Sequence, residues 1–527
     1  MGSHYIPVGK IKIDKEILDI ACPAAGYTPE ILCPANGWVL EPGQPYVPVV
    51  DIGTPSVEQI FILLQHSAVA RFTMAVTCAG SQWYWELYSG TGDFIEKSSN
   101  INSGNSSQYL YEGVENAFYI IKIKLVSDVS ITKFLISQMT GYEITILEVK
   151  MNTPYIAELN NAFRYTPLLR VVEFVSSVEY LTTMQAAFQY SGIEFWKPSK
   201  NFASLTNMSA IFQYSNIQQA DFSDSLFPVL ENFSYGFSNT NNAYKVKFPS
   251  SFPELTNASY LFNTSNVKLI EMYSYAPKVT SYQYFAYNAV LLEGSIVFPE
   301  AQYCTTIYRI VENSIIESLT LQGNWLSLTD ARNVCSSLSR LVYMEFPRQM
   351  GSLSSSFALT STFVISVPEL IELRLPDLIF FSTTLANLPF SGVSRKMKII
   401  QGDMESGLGI SLNFGTGNLN YSANLEEFEL PKALYSRLYI GGSAVAKKLT
   451  NLSVDWANSP WEMIPTGSTN MTIRLWCALT TAALNNIYNE LPTVVPDGGT
   501  YKLQVSSNPG FGGSNYAVVE AKGWTVI

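Results

Sequence analysis

The sequence predicts an α/β solenoid, a parallel sheet backed by short helices on its convex side. Three observations support this fold class. Phenylalanine recurs every 24 or 25 residues, at 188, 212, 237 and 262. Apolar residues around each phenylalanine are spaced i, i+3 and i+7, as on one face of a short helix. A second apolar pattern follows each copy, with the spacing of a strand. A unit this small cannot bury its own apolar face and must stack on its neighbours.

The strand half of the repeat has apolar residues at positions 1, 4 and 6, as in a leucine-rich-repeat strand. The predicted starts of this template are Ile144, Leu169, Ile193, Ile217, Ala243, Val267, Leu292, Ile316, Leu341, Leu370, Ser394, Leu425, Leu449 and Asn470. Position 5 should face solvent, and among these coils only Ile296 is apolar there. A slip of one residue would exchange the inward and outward columns, so the pattern predicts parallel strands with one wet face.

The solenoid is predicted to span 141–480, between two other regions. Residues 1–45 are rich in proline and are predicted to form an extended N-terminal arm that anchors the chain; a floppy leader is the alternative. Residues 46–140 alternate in polarity, for example from Phe72 to Cys78 and from Tyr119 to Leu125, and this predicts a small β-sandwich. That domain should cover the first coil, which would otherwise expose its core.

The C-terminal residues 481–527 are predicted to form a cap. Ala483, Leu484, Ile487, Tyr488 and Leu491 share one helix face, and Tyr501, Leu503 and Val505 alternate as a strand. The glycine-rich interval 400–424 is predicted to be a loop inserted in one coil.

Composition limits the possible functions. The formal net charge is -11 and charged residues are 14% of the chain, with no basic cluster to neutralise a nucleic acid. No run of 18 apolar residues predicts a membrane span, and the N-terminus lacks a signal-peptide pattern. The six scattered cysteines fit buried thiols, although a bridge between Cys22 and Cys33 is a second possibility.

The sequence gives no sign of catalytic, cofactor-binding or metal-binding residues. His4 and His66 are the only histidines, and they form no triad or metal cluster. Asp403 and Glu405 fit a solvated loop better than a catalytic pair. The sequons at Asn207, Asn257 and Asn451 recur with the repeat, which favours a loop or capping role. We therefore predict a protein that is not an enzyme.

The repeated Leu-Thr-Asn-Met/Ala-Ser figure followed by phenylalanine, at 205–212 and 255–262, resembles the BspA-type (Treponema pallidum-type) leucine-rich repeats. The closing segments Asn508-Pro509-Gly510 and Lys522-Gly523-Trp524-Thr525-Val526 are similar to the ends of such proteins in Bacteroidetes and their phages. The resemblance covers about 140–527. It implies either a phage structural or receptor-binding protein or a bacterial surface adhesin. Several coils after residue 290 lack the helix figure.

Function is therefore expected on a surface, the outer face of a sheet about 65 Å long across fourteen coils. The candidate binding residues are Phe195, Lys245, Leu269, Tyr343, Glu345, Glu372, Arg374, Lys396 and Glu427. The apolar beginning of this face is either a binding patch or is covered by the N-terminal domain.

The expected function is that of a non-enzymatic phage virion protein. Its N-terminal arm would attach to other virion proteins, and its solenoid would bind a host surface glycan or protein. The alternative is a secreted bacterial adhesin. A homo-oligomer is possible; cofactors, nucleic acid and a membrane span are not expected.

Overall fold

The computed structural model describes residues 5–13, 16–23, 53–65, 70–78, 82–111, 117–126, 131–138, 146–347, 349–350, 364–365, 369–375, 378–379, 396–401, 410–414, 427–430, 435–440, 451–454, 471–475, 478–491, 493 and 501–527. The chain divides into two compact units, 1–51 and 52–527. In the first unit, β1 (Tyr5–Ile13) pairs antiparallel with β2 (Glu16–Pro23). The predicted arm therefore contains a strand pair.

The second unit begins with eight strands: β3 (Gln59–Gln65), β4 (Ala70–Cys78), β5 (Gln82–Ser89), β6 (Phe94–Lys97), β7 (Ile101–Asn102), β8 (Ser106–Tyr111), β9 (Phe118–Leu125) and β10 (Ile131–Gln138). Strands β10, β4 and β8 form an antiparallel sheet, and β3, β9, β5 and β6 form part of a larger one. Alternate residues such as Met74, Val76, Trp83 and Leu87 are buried in one apolar core. Alternation along these strands is thus confirmed.

The larger of these sheets is not confined to the N-terminal region. Strand β11 (Ile146–Asn152), the first strand of the solenoid, pairs antiparallel with β3 and parallel with the next strand of the solenoid. One sheet therefore continues from the N-terminal strands into the first coils. The first coil pairs with this sheet instead of ending in an open edge.

Glu58 connects three segments at this junction. Its amide donates to the Asn152 carbonyl at 2.6 Å, and its Oε2 accepts from the Ile131 amide at 2.8 Å. The residue is buried and has a left-handed φ of 58°. Burial raises the pKa of this carboxyl, although the hydrogen bonds from the Ile131 and Tyr155 amides oppose the shift.

The first parallel coils confirm the predicted solenoid. Five short strands follow β11: β12 (Val171–Phe174), β13 (Phe195–Lys197), β14 (Gln219–Asp221), β15 (Lys245–Lys247) and β16 (Leu269–Glu271). Each pairs in parallel with its neighbour, and Val172, Trp196, Ala220, Val246 and Ile270 form one inward row. The start predicted at Ile144 was wrong by two residues, because Val149 lies opposite Val172.

The short convex helices were predicted wrongly, since no helix occurs anywhere between 146 and 346. The segments around the phenylalanines are consecutive turns. The Ala187 amide donates to the Met184 carbonyl three residues back, while the amides of Met184 and Phe188 donate to Asn207 and Ile211 in the next coil. We call the turn segments 185–190, 209–214, 234–239, 259–264 and 283–288 the turn edge. Coils therefore share backbone hydrogen bonds on this side as well as in the sheet.

Two residues in each turn segment have positive φ, four positions apart, for example Ala186 at 52° and Tyr190 at 56°. A left-handed residue costs roughly 1–2 kcal/mol when it carries a side chain. Stacking of the coils offsets this cost. Without these residues the chain could not turn twice within one segment.

The core beneath the turn edge is an aromatic stack. Phe163, Phe188, Phe212, Phe237 and Phe262 lie on successive coils, with ring centroids 5.1–5.5 Å apart. All five are fully buried. The phenylalanine period in the sequence is therefore the coil period of the structure.

A column of buried hydroxyls stabilises the end of each turn segment. Thr166, Ser191, Ser215, Thr240 and Ser265 occupy equivalent positions and are buried. The hydroxyls of Thr166, Ser191 and Thr240 donate to the carbonyls of Phe163, Phe188 and Phe237 at 2.6, 2.7 and 3.0 Å. These polar groups can be buried because they are hydrogen-bonded.

The later strands are β17 (Ser295–Phe298), β18 (Ser318–Leu321), β19 (Asn324–Trp325), β20 (Cys335–Ser336), β21 (Tyr343–Glu345), β22 (Gln349–Met350), β23 (Val364–Ile365), β24 (Glu372–Leu375), β25 (Leu378–Ile379), β26 (Lys396–Gln401), β27 (Ile410–Phe414), β28 (Glu427–Leu430), β29 (Tyr435–Ile440), β30 (Asn451–Val454) and β31 (Met471–Leu475). Strands β17, β18, β21, β24, β26, β28 and β30 form a second parallel sheet. Three short sheets accompany it: β19-β22-β25, β20-β23, and one beginning β27-β29-β31.

Two predicted registers in this region were wrong, and two further predictions need correction. Ile296 is buried and lies opposite Leu319, so the coil predicted to begin at Leu292 slips by one residue at Gly294, where φ is 78°. Glu372 lies opposite Lys398 and not Lys396. The coil predicted at Asn470 lies in the sheet of β27 and β29, and β27 is a strand within the interval predicted as a loop.

The predicted C-terminal helix and strand are confirmed. Helix α1 (Thr481–Glu490) buries Leu484, Ile487 and Tyr488, and the Thr480 side chain caps it by accepting from the Ala483 amide. Strand β32 (Tyr501–Gln504) pairs in parallel with β31. A 3₁₀ turn (Phe511–Gly513), α2 (Ala517–Ala521) and β33 (Thr525–Val526) complete the chain.

Candidate functional surface

The nine candidate residues lie on two sheets. Phe195, Lys245 and Leu269 form one row of the first sheet, with Gln219 between the first two, and all three are partly buried. The other six lie on strands of the second sheet. Strands β16 and β17 are not paired with each other, so the single outer sheet predicted from the sequence is divided.

Tyr343, Glu345, Glu372 and Arg374 form a cluster on the second sheet. Arg374 Nε lies 2.9 Å from Glu372 Oε1, and its guanidinium lies 5.7 Å from the Tyr343 ring centroid. The Tyr343 hydroxyl donates to Glu345 Oε2 at 2.7 Å. Burial and this hydrogen bond raise the pKa of Tyr343 to about 12. Lys396 lies opposite Glu427 on the adjacent pair of strands.

The outer face of the first sheet carries alternating charges. We call this surface, over β11–β16, the sheet face. With the corrected register its position-5 column reads Lys150, Glu173, Lys197, Asp221, Lys247 and Glu271. Lys197 Nζ lies 3.6 Å from Glu173 Oε1, and Lys245 Nζ lies 2.6 Å from Glu271 Oε1. Opposite charges on neighbouring strands attract, so this face largely neutralises itself.

Glu148 is the most deeply buried charged residue of the sheet face, with 7% of its surface exposed. Burial raises the pKa of this carboxyl, and nearby Lys150, with Nζ 3.7 Å from Oε1, opposes the shift.

The sequence prediction overlooked a second surface, on the turn edge. Tyr190 and Tyr214 stack with centroids 4.7 Å apart and planes 3° from parallel, and Tyr165 continues the stack at 5.2 Å. Further along, Tyr235, Tyr260 and Tyr284 stack at 4.7 and 4.8 Å. Tyr190 is 39% exposed and Tyr214 is 42% exposed. The signal was present in the sequence, since a tyrosine follows Phe163, Phe188 and Phe212 by two residues.

The tyrosine rows expose ring edges and hydroxyl groups, because stacking covers the ring faces between them. Gln189 and Gln213 run alongside, and Gln189 Nε2 donates to Gln213 Oε1 at 2.6 Å. A tyrosine hydroxyl can both donate and accept a hydrogen bond. This arrangement can bind polar groups without a formal charge.

Arginines mark the end of the second tyrosine row. The Arg309 guanidinium lies 5.1 Å from the Tyr308 ring centroid and 5.4 Å from that of Tyr287. Its Nε also lies 3.2 Å from Glu312 Oε2, and Arg332 is paired with Asp330 at 2.9 Å. These cations already have acidic neighbours, so this end is not a ready anion site.

The sequon asparagines of the coils act as local caps. Asn207 Oδ1 and Asn257 Oδ1 accept from the amides of Ser209 and Ser259 at 2.9 and 3.0 Å. Asn451 begins β30 instead. Cys78 and Cys304 carry buried thiols. His4, Cys33, His66, Asp403 and Glu405 lie outside the described residues.

Among the described residues, no group of three or more histidine, cysteine, aspartate or glutamate side chains is placed to hold a metal ion. In the same part of the chain, the helices are too short or too polar to cross a membrane.

Comparison with protein-family models, curated protein sequences and solved structures gave no match.

Proposed function

We propose that this chain is a non-enzymatic recognition protein that binds its target through the outer surface of the stacked coils. The observation that carries the proposal is the pair of tyrosine rows on the turn edge, in which Tyr190, Tyr214 and Tyr235 are exposed. Tyrosine gives a large amphipathic contact area at low conformational entropy cost, and stacking pre-orders the rings. A stacked solenoid of this kind supports a binding surface that spans several repeats.

We further propose that the repeats are leucine-rich repeats of the BspA type and that the protein works on a phage virion. The resemblance of 205–212 and 255–262 to that family supports this assignment. In the virion, residues 1–45 would attach the chain to other virion proteins, and residues 46–140 would be a β-sandwich domain next to the solenoid. The same resemblance supports a bacterial surface adhesin as the second candidate.

Binding of the fluorescently labelled full-length chain to intact bacterial cells tests the recognition function. Flow cytometry should show saturable binding to some strains, and excess unlabelled chain should compete. Periodate treatment of the cells would remove glycan targets, while protease treatment would remove protein targets. If none of the strains shows saturable binding, the recognition role is contradicted. Release of fragments from cell-surface polymers would contradict the absence of enzymatic activity.

Immunogold labelling separates the two locations. Antibody against the chain should label purified phage particles if the virion assignment is correct. Label on the bacterial envelope, with none on particles, would support the adhesin instead.

A further inference from the structure

The turn edge has a composition unlike the rest of the outer surface. Its five segments consist of Ser, Thr, Asn, Gln, Ala, Gly, Tyr and buried apolar residues, with no Asp, Glu, Lys or Arg. The sheet face of the same coils has a charged residue in each strand. Charged residues resume at Arg164 on one side and Arg309 on the other. The uncharged surface thus extends over five consecutive coils.

From this contrast we infer that the turn edge binds an uncharged polysaccharide, an inference that rests on the proposed recognition function. The five segments themselves offer no cation to an anionic polymer and no carboxylate to a cationic one, and Arg309, which lies against Tyr287 at one end, is already paired with Glu312. A protein partner brings about 25% charged residues of its own. Burying those charges against an uncharged edge would cost free energy, because they would have no partner.

The hydrogen-bonding groups of the turn edge fit a neutral sugar chain. Tyrosine hydroxyls and glutamine amides both donate and accept, as sugar hydroxyls do. Within each row the tyrosine rings repeat from coil to coil, with centroids 4.7–5.2 Å apart. A ligand that itself repeats can therefore make the same contacts on several coils, and the contacts add along its length.

The test is affinity electrophoresis of the full-length chain in native gels that contain dextran, mannan, β-glucan or galactan, with alginate and hyaluronate as anionic comparisons. At least one uncharged polysaccharide should retard the wild-type chain. Tyr190→Ala with Tyr214→Ala should raise the apparent dissociation constant by tenfold or more. Tyr190→Phe with Tyr214→Phe keeps the rings and should raise it less. Retardation should change little between low and high salt, because no ion pair is involved.

Matched variants on the sheet face control for general damage. Glu173→Gln with Lys197→Gln removes one charge of each sign, so mobility in the native gel is preserved, and retardation should equal that of the wild type. Circular dichroism melts of all variants identify any that fail to fold. For such a variant, the tyrosine-to-phenylalanine pair takes over as the deciding measurement.

Three results would overturn the inference: no retardation by any uncharged polysaccharide, retardation by the anionic polymers alone, or loss of binding in the sheet-face variant but not in the tyrosine variants. The cell-binding assay separates this failure from failure of the proposed function. Cell binding that survives both tyrosine variants would leave the recognition role intact and move its site elsewhere.

Discussion

The same coils build the sheet face and the turn edge, yet the two surfaces differ in how side chains follow one another from coil to coil. On the sheet face, lysine alternates with glutamate or aspartate from Lys150 to Glu271. On the turn edge, like residues repeat, as in the stack of Tyr235, Tyr260 and Tyr284. Equivalent side chains of neighbouring coils lie about 5 Å apart, where like charges repel and aromatic rings attract. Identical residues can therefore be repeated only where they are uncharged.

Removing a ring beneath the turn edge should have the largest effect on stability. Phe212→Ala deletes a fully buried ring that stacks between Phe188 and Phe237. We expect a loss of about 3–5 kcal/mol in the free energy of unfolding. Tyr214→Ala, two residues away but 42% exposed, should cost much less. Urea unfolding followed by circular dichroism measures both, and equal losses would mean that the exposed stack is structural.

Removing a hydroxyl of the buried column should have the second-largest effect on stability. Thr240→Val keeps the shape of the side chain but removes an Oγ1 that lies 3.0 Å from the Phe237 carbonyl and 2.6 Å from Ser265 Oγ. Leaving buried polar groups unpaired should cost about 1–3 kcal/mol. Thr206→Val removes a more exposed hydroxyl, which donates to the Thr182 carbonyl at 3.1 Å, and is the matched control. If Thr206→Val lowers the free energy of unfolding as much as Thr240→Val does, burial of the hydroxyl does not determine the loss.

Two carboxylates should show opposite pH dependences. Burial raises the pKa of Glu148, so its favourable contribution is complete at low pH and is lost as the pH rises through the folded-state value. Glu148→Gln should therefore gain stability relative to the wild type as the pH rises towards neutrality. Unfolding curves between about pH 4 and pH 8 measure the trend, since ordinary glutamate titrates near the lower limit.

Glu86 provides the contrast. Burial opposes ionisation there, but hydrogen bonds from Lys124 and Tyr88 hold its pKa below the usual value, and Lys124 Nζ lies 2.7 Å away. Its contribution is present at neutral pH and is lost on acidification, so Glu86→Gln should lose stability chiefly at neutral pH. If the stabilities of Glu148→Gln and Glu86→Gln change with pH in the same direction, the difference in environment does not give the two carboxylates opposite pKa shifts.

Breaking the alternation of charges on the sheet face should have the smallest effect on stability. Lys197→Glu would place three acidic residues in adjacent strands, between Glu173 and Asp221. We expect a loss of roughly 0.2–1 kcal/mol that shrinks in high salt. Lys197→Gln should lose less, because it removes the attraction without adding repulsion. A salt-independent loss in both variants would point to packing of the lysine stem.

The strands could be predicted from the sequence because an outward polar residue between two inward apolar ones identifies a sheet face. The absence of helices from the other half of each coil could not be predicted. The inward residues Leu181, Met184 and Phe188 have the i, i+3 and i+7 spacing of a helix, but consecutive turns produce the same spacing. In the turn segments the residues with positive φ are tyrosine, alanine, asparagine and Thr264, so no glycine marks these turns.

One of the failed registers has a local backbone cause that the apolar pattern alone does not locate. Gly294 adds one residue before Ile296 and moves that side chain inward. The nine candidate residues could be predicted because the strand template locates the outward positions 3 and 5 of each coil. The tyrosine rows do not follow from the apolar period, because their rings lie beside it: two residues after Phe188 and Phe212, and two residues before Phe237 and Phe262.

The hydrogen bonds that close each turn have a consequence for the evolution of the chain. A coil such as 193–216 supplies its own hydroxyl for the turn and offers its neighbours the same backbone donors and acceptors that it receives. Duplicating or deleting one such unit would lengthen or shorten the stack by about 4.8 Å and leave both ends as they are. Genetic recombination between repeats can therefore change the length of the solenoid by whole coils.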